Sequence, residues 1–199
     1  MLKEISIEII RKCPNRCIHC SSLSSEDCVE IIPLEKFKEV VDGVKKLGLK
    51  TICFSGGEPF LHPDIIEMVQ YVYSKGLQCY IYSSGIYMDS KKNRSSIPEK
   101  ILAKIQGKVT KIIFNMESTD ECTYNLIMGT QGCMGFLEQS IKSATNRGIV
   151  VEGHFVPMKL NQNQIEDMVE FCERLGFSKV SFLRLVMHGR ALNNKDRLL

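Results

Sequence analysis

The chain has 199 residues, 44% of them hydrophobic and 25% charged, which is enough for one domain with a substantial core. Its net charge of +3 argues for no particular partner, and no apolar run approaches the ~20 residues of a membrane span. Nine cysteines are an odd count for a disulfide framework, and no signal peptide precedes Met1-Leu2-Lys3-Glu4, so a cytoplasmic location is expected.

Residues 4–10 alternate apolar and polar with period two, the mark of a half-buried strand. Cys13-Pro14-Asn15-Arg16-Cys17-Ile18-His19-Cys20 then follows on a loop, because Arg11, Lys12 and Pro14 break the alternation. Three thiols spaced three and then two apart suit a soft metal, but they are one ligand short of a closed tetrahedral site. Two completions are open. His19 could be the fourth ligand of a structural zinc, although its adjacency to Cys20 makes that awkward and no second Cys/His pair stands downstream. Alternatively, Cys13, Cys17 and Cys20 hold three irons of a [4Fe–4S] cluster and leave the fourth iron open.

A helical pattern runs from Leu34 to Leu47. A short apolar run at 51–54 reads as the second strand and leads into Ser55-Gly56-Gly57-Glu58-Pro59. Two glycines permit a tight turn and close approach to a ligand, and the carboxylate after them can accept from an ammonium. Strands are predicted further at 77–83, 109–116, 149–156 and 179–186, with helices from Asp64 to Ser74, Ile97 to Ile105, Met134 to Thr145 and Gln164 to Leu175. Six strands alternating with helices predict an α/β fold with a parallel sheet, either an open partial barrel or a doubly wound sheet. In either, ligands gather at the carboxyl ends of the strands, which makes Ser84, Asn115, Glu117, His154 and Arg184 candidates beside the two motifs. His154 suits packing better than proton transfer, and Arg184 could equally form a surface ion pair. Cys53 and Cys79 fall in strands as core residues. Residues 91–111 carry seven Lys or Arg against Glu99, read as a solvated helix face or a docking patch for a polyanion; no aromatic interleaving supports nucleic acid.

Cys-x3-Cys-x2-Cys after the first strand, with Gly-Gly-Glu-Pro after the second, resembles the radical S-adenosylmethionine (SAM) superfamily. The resemblance implies an open, partial (β/α)6 TIM-like barrel of parallel strands, spanning residues 1–199 as one core domain. It implies a [4Fe–4S] cluster whose open iron is chelated by the amino and carboxylate groups of SAM. It further implies one-electron cleavage of SAM to methionine and a 5′-deoxyadenosyl radical, with an electron donor such as a flavodoxin or ferredoxin. On the family's pattern Gly56, Gly57, Glu58 and Pro59 receive the SAM amino group, and His19 stands near the adenine. Ser84, Asn115, Glu117 and Arg184 approach the ribose or carboxylate; Asn115 and Glu117 replace a serine and an aspartate of the family pattern. Met128-Gly129 stands where many relatives have Arg-Gly. His188-Gly189-Arg190-Ala191 resembles the branch that modifies peptides or matures proteins, so a peptide or protein substrate is expected. The alternatives are a small-molecule substrate in cofactor biosynthesis and a metal-stabilised interaction module without turnover. That branch commonly carries a C-terminal extension for auxiliary clusters. Lys195 to Leu199 reads like a helix cut short, so a fragment of a longer enzyme is expected, with a compact single-cluster enzyme as the other case.

Overall fold

The computed structural model describes residues 3–199; Met1 and Leu2, part of the start read above as having no signal peptide, lie outside the described residues. Strand β1 (Glu4–Ile10) sends Ile7 and Ile9 into the main core, with Ile5 packed against it, while Glu4, Ser6 and Glu8 occupy its other face. Helix α1 (Leu34–Lys45) begins directly after Pro33, whose φ of −59° suits a helix start, and buries Phe37 and Val41 one turn apart. β2 (Thr51–Gly56) adds Ile52 and Phe54 to the same core, and α2 (Ile65–Ser74) covers them with Met68, Val69 and Val72. β3 (Gln78–Ser83) follows.

The sequence did not announce the next element. β4 (Ile86–Met88) and β5 (Arg94–Ser96) form an antiparallel hairpin between β3 and the third helix. Its turn is tied by Asp89, whose carboxylate accepts from the backbone N–H groups of Lys91 and Asn93. α3 (Glu99–Ile105), β6 (Lys111–Asn115), α4 (Glu121–Met128), α5 (Met134–Asn146), β7 (Val150–Phe155), α6 (Ile165–Arg174) and β8 (Lys179–Phe182) follow, with two successive helices, α4 and α5, between β6 and β7. Two short helices, α7 (Arg190–Asn193) and α8 (Lys195–Leu198), end it.

The six long strands pair in parallel in the order β1-β2-β3-β6-β7-β8. Strand order follows chain order with no reversal, which removes the doubly wound alternative and leaves the open partial barrel. One face of the sheet packs Phe54, Ile81, Phe114 and Phe155 into the main core with the helices. The other carries polar groups, including Lys111, which pairs with both oxygens of Glu152 at 2.8 Å.

Two sequence expectations are corrected here. The basic stretch 91–111 is not one helix face, because it divides among the hairpin, α3 and β6, with Arg94 turned onto the cysteine loop and Lys111 paired inside the sheet. The sixth strand stops at Phe182, so Arg184 lies in the irregular segment beyond it rather than on the strand.

Candidate cofactor site

The cysteine loop leaves β1 and is held from three sides. Cys13 donates its N–H to Ser25 O at 2.9 Å, while Arg16 and Ile18 donate theirs to Met128 O and Ile127 O at 3.0 and 2.9 Å. These last bonds join it to the end of α4, which terminates on Gly129 at φ 61°. A Cβ there would stand 2.4 Å from Arg16 O, so the glycine of Met128-Gly129 is what lets α4 meet the loop. Cys13, Cys17 and Cys20 line one cavity of about 310 Å³ at the carboxyl ends of the strands. His19, Gly56, Gly57, Ser84, Asn115 and Arg184 share its wall.

The Gly-Gly turn is part of the same construction. Gly57 donates to Ile10 O at 2.6 Å and Glu58 to Lys12 O at 2.9 Å, fastening the end of β2 to the root of the cysteine loop. A Cβ on Gly56 would lie 2.1 Å from Ile10 O, and one on Gly57 2.2 Å from Lys12 O. The glycines thus admit a neighbouring backbone as well as facing the cavity. Glu58 is fully buried and outside the cavity wall. Its carboxylate accepts from Ser83 Oγ at 2.9 Å, Ser84 N at 2.8 Å, Ser84 Oγ at 2.6 Å and Phe60 N at 3.2 Å. Burial pushes its pKa up, against the lowering effect of those hydrogen bonds. Pro59 is buried at the start of the following 3-10 turn and does not line the cavity.

Glu117 is buried, with one carboxylate oxygen 3.3 Å from His19 Nε2 and the other accepting from Val156 N–H at 3.3 Å. His19 and Glu117 therefore meet, as neither motif alone announced. His154 stands beside Tyr82 with ring centroids 5.4 Å apart, and burial pushes its pKa down.

Sequence reasoning missed several residues that shape the site. Arg94 donates from Nε and Nη2 to Pro14 O at 3.2 and 2.9 Å. Arg190 donates to Cys17 O and Ser24 O, each at 2.7 Å, and Asn194 Nδ2 to Ile18 O at 3.1 Å. Gly189 permits this, since a Cβ there would sit 2.5 Å from both Cys20 O and Ser21 O. Gly-Arg-Ala was legible as a motif, but its partner lay too far along the chain to be read.

The donor set fits an iron–sulfur cluster. Burial, followed by the charge of Glu58, pushes the Cys13 thiol up to about 12, and burial followed by the charge of Cys13 raises Cys17. Thiols so placed become thiolates when a metal takes the proton's place. Among the described residues no three His, Cys, Asp or Glu side chains are set to hold a single metal ion, whereas a cubane gives each thiolate its own iron. Six buried side-chain polar atoms lack a partner among the described residues, and four of them belong to Asn15, His19 and Ser24 on the cavity wall.

The fold class is the open parallel α/β barrel with its ligand site at the carboxyl ends of the strands. A family model described as the Radical SAM superfamily matches residues 7–174, and the chain belongs to that superfamily. SAM and an iron–sulfur cluster are the cofactors of that family. The chain is 24% identical over 201 residues to the AdoMet-dependent heme synthase of Nitratidesulfovibrio vulgaris, covering 99% of this chain and 52% of that protein. It is likewise 24% identical over 193 residues to the PqqA peptide cyclase of Gluconobacter oxydans, covering 96% and 52%. Among solved structures, Streptococcus suis SuiB bound to precursor peptide SuiA superposes with a TM-score of 0.79 at 16% identity, covering 94% of this chain and 40% of that one. The chain spans about half the length of the curated relatives it matches.

Proposed function

We propose that residues 1–199 form the core domain of a cytoplasmic radical SAM enzyme that abstracts hydrogen from a peptide or protein substrate. The observation that carries this reading is the single cavity bringing Cys13, Cys17 and Cys20 against the Gly56-Gly57 turn. The three cysteines would ligate a [4Fe–4S] cluster. When bound, the cluster and SAM supply a 5′-deoxyadenosyl radical able to remove hydrogen from a substrate. The protein's part is placement. The Gly56-Gly57 backbone and Ser84 form the wall for the amino group of SAM, with the carboxylate of Glu58 and the ring of Pro59 behind them. His19 is held by Glu117 where an adenine could pack, while Asn115 and Arg184 offer hydrogen bonds to ribose or carboxylate. A flavodoxin- or ferredoxin-like donor would supply the electron.

A peptide substrate is supported by the likeness to PqqA peptide cyclase and by the fold shared with SuiB, whose structure holds a precursor peptide. The heme synthase, at the same 24% identity, supports a small molecule as the second reading. Anaerobic reconstitution, reduction in the presence of SAM and detection of 5′-deoxyadenosine test the chemistry. Deuterium transfer into 5′-deoxyadenosine from a labelled peptide, against none from a labelled porphyrin, would support the peptide reading. The reverse pattern would establish the second one.

A further inference from the structure

We propose that Asn15 donates a hydrogen bond from its side-chain Nδ2 to a sulfur of the cluster held by Cys13, Cys17 and Cys20, and thereby raises the cluster's reduction potential. The proposal rests on the cofactor reading above and assigns a new role within that site. Asn15 is 1% exposed and lines the cavity with the three thiols, yet neither Nδ2 nor Oδ1 has a partner among the described residues. Buried amides are seldom left wholly unpaired, so this side chain is built to meet something that enters the cavity.

The backbone around it is fixed on both sides. Pro14 O receives Arg94, and Arg16 N–H is bound to Met128 O. Asn15's own backbone N–H is already directed at the Cys13 thiol. The fixed backbone thus holds the buried Asn15 at the cavity wall. The other unpaired groups on the cavity wall are less committed. Ser24 presents one unpaired atom where Asn15 presents two, and His19 is partly exposed and already faces Glu117 through Nε2. Sulfide and thiolate sulfurs accept and do not donate, so the amide must present its nitrogen to them. Reduction adds one negative charge to the cluster, and a donor stabilises the more negative state more strongly, which raises the potential.

The test compares reconstituted wild type with Asn15→Leu, which keeps the volume and removes the donor, and Asn15→Asp, which replaces the donor with a charge. Iron and sulfide content are measured first, and the midpoint potential is then followed by electron paramagnetic resonance during anaerobic titration. Asn15→Leu should retain wild-type iron and shift the reduction equilibrium about tenfold towards the oxidised cluster, ~59 mV lower for a one-electron couple. Asn15→Asp should fall lower still. An unchanged or higher potential in Asn15→Leu overturns the proposal. So does failure of both variants to assemble a cluster, because a group that only donates to sulfur is not required for assembly. Failure of the wild type to take up iron would instead sink the cofactor reading, and this proposal with it.

Discussion

The Arg190 guanidinium donates from Nε to the carbonyl oxygen of Cys17 at 2.7 Å, across 173 residues of chain. Its Nη2 reaches Ser24 O at 2.7 Å, and its backbone N–H reaches Cys20 O at 2.9 Å. One side chain and its backbone thus fix the carbonyls of the loop that carries all three cysteines. Lysine lacks the planar fork needed to hold two carbonyls at once. Arg190→Lys should therefore cost about 1–3 kcal/mol of stability. It should also speed iron loss to a chelator several-fold. Thermal unfolding of the unloaded protein and chelation kinetics of the loaded one check the two effects, and equal chelation rates would refute the clamp.

The cysteines make a sharper comparison. Cys17 lines the cavity, whereas Cys28 lies outside it, with its sulfur 3.6 Å from Ser25 Oγ. Cys17→Ala should lose most reconstituted iron and all SAM cleavage, while Cys28→Ala retains both. Iron analysis and 5′-deoxyadenosine yield decide it. Loss of the cluster in Cys28→Ala would require a different ligand set.

The strand and helix alternation was legible because period-two and period-3.6 patterns are local, but it left a doubly wound sheet open beside the partial barrel, and the chain-order sheet came from the resemblance and the structure. The hairpin at Ile86–Met88 and Arg94–Ser96 was not, since three-residue strands carry too little pattern to separate them from a basic loop. The cysteines and the Gly-Gly turn were readable by spacing. What spacing concealed was the reason for the glycines: Gly56 and Gly57 press on the carbonyls of Ile10 and Lys12, a contact made only once β1 and β2 pair. Glu117's approach to His19 and the Arg190 clamp were hidden for the same reason, being products of tertiary closure.

His62 predicts an acid-sensitive step in stability. It is buried, with Nδ1 accepting from Asp64 N–H at 3.0 Å, which leaves Nε2–H to donate to Ile32 O at 2.9 Å. Both ring nitrogens are used in the neutral form, and burial pushes the pKa down. At a pH above the unfolded value of about 6.5 both states are neutral and the contribution is fully present. As the pH falls through that value towards the lower folded pKa, the unfolded chain takes the proton first and stability is lost. Wild type should lose more stability than His62→Gln between pH 7 and pH 5 in denaturant titrations. Parallel losses in the two proteins would remove His62 from the account.

Two glycine substitutions should move stability in opposite directions. Gly57→Ala places a Cβ 2.2 Å from Lys12 O and 2.6 Å from Arg11 O, both backbone atoms that cannot yield cheaply. It should cost about 3 kcal/mol or more and impair cluster assembly with it. Gly43, exposed on helix α1, has nothing within 4 Å of a built Cβ. Gly43→Ala should stabilise by about 0.5–1 kcal/mol through the backbone alone. Urea unfolding of both variants measures the contrast, and a stable Gly57→Ala protein would show that the turn can relax.

Glu58 joins stability to cofactor binding. Each carboxylate oxygen receives a backbone N–H, Oε1 from Phe60 at 3.2 Å and Oε2 from Ser84 at 2.8 Å. Glutamine cannot accept at both ends, so whichever end becomes the amide nitrogen confronts a donor. Glu58→Gln should therefore lose about 1 kcal/mol. Glu58→Ala, which strands Ser83, Ser84 and Phe60 donors in the interior, should lose about 3 kcal/mol or more. Ser84 sits on the cavity wall and bonds this carboxylate, so, on the proposed function, the lost charge should also weaken the hold on the SAM ammonium. Tenfold weaker SAM binding in Glu58→Gln, about 1.4 kcal/mol, is the expected result by calorimetry, with iron content unchanged. If SAM affinity equals that of the wild type while stability falls, Glu58 serves the architecture of the turn and not the cofactor. If iron is lost as well, the carboxylate is holding the cysteine loop through the Gly57–Ile10 and Glu58–Lys12 backbone bonds, and the two functions of the turn cannot be separated by this residue.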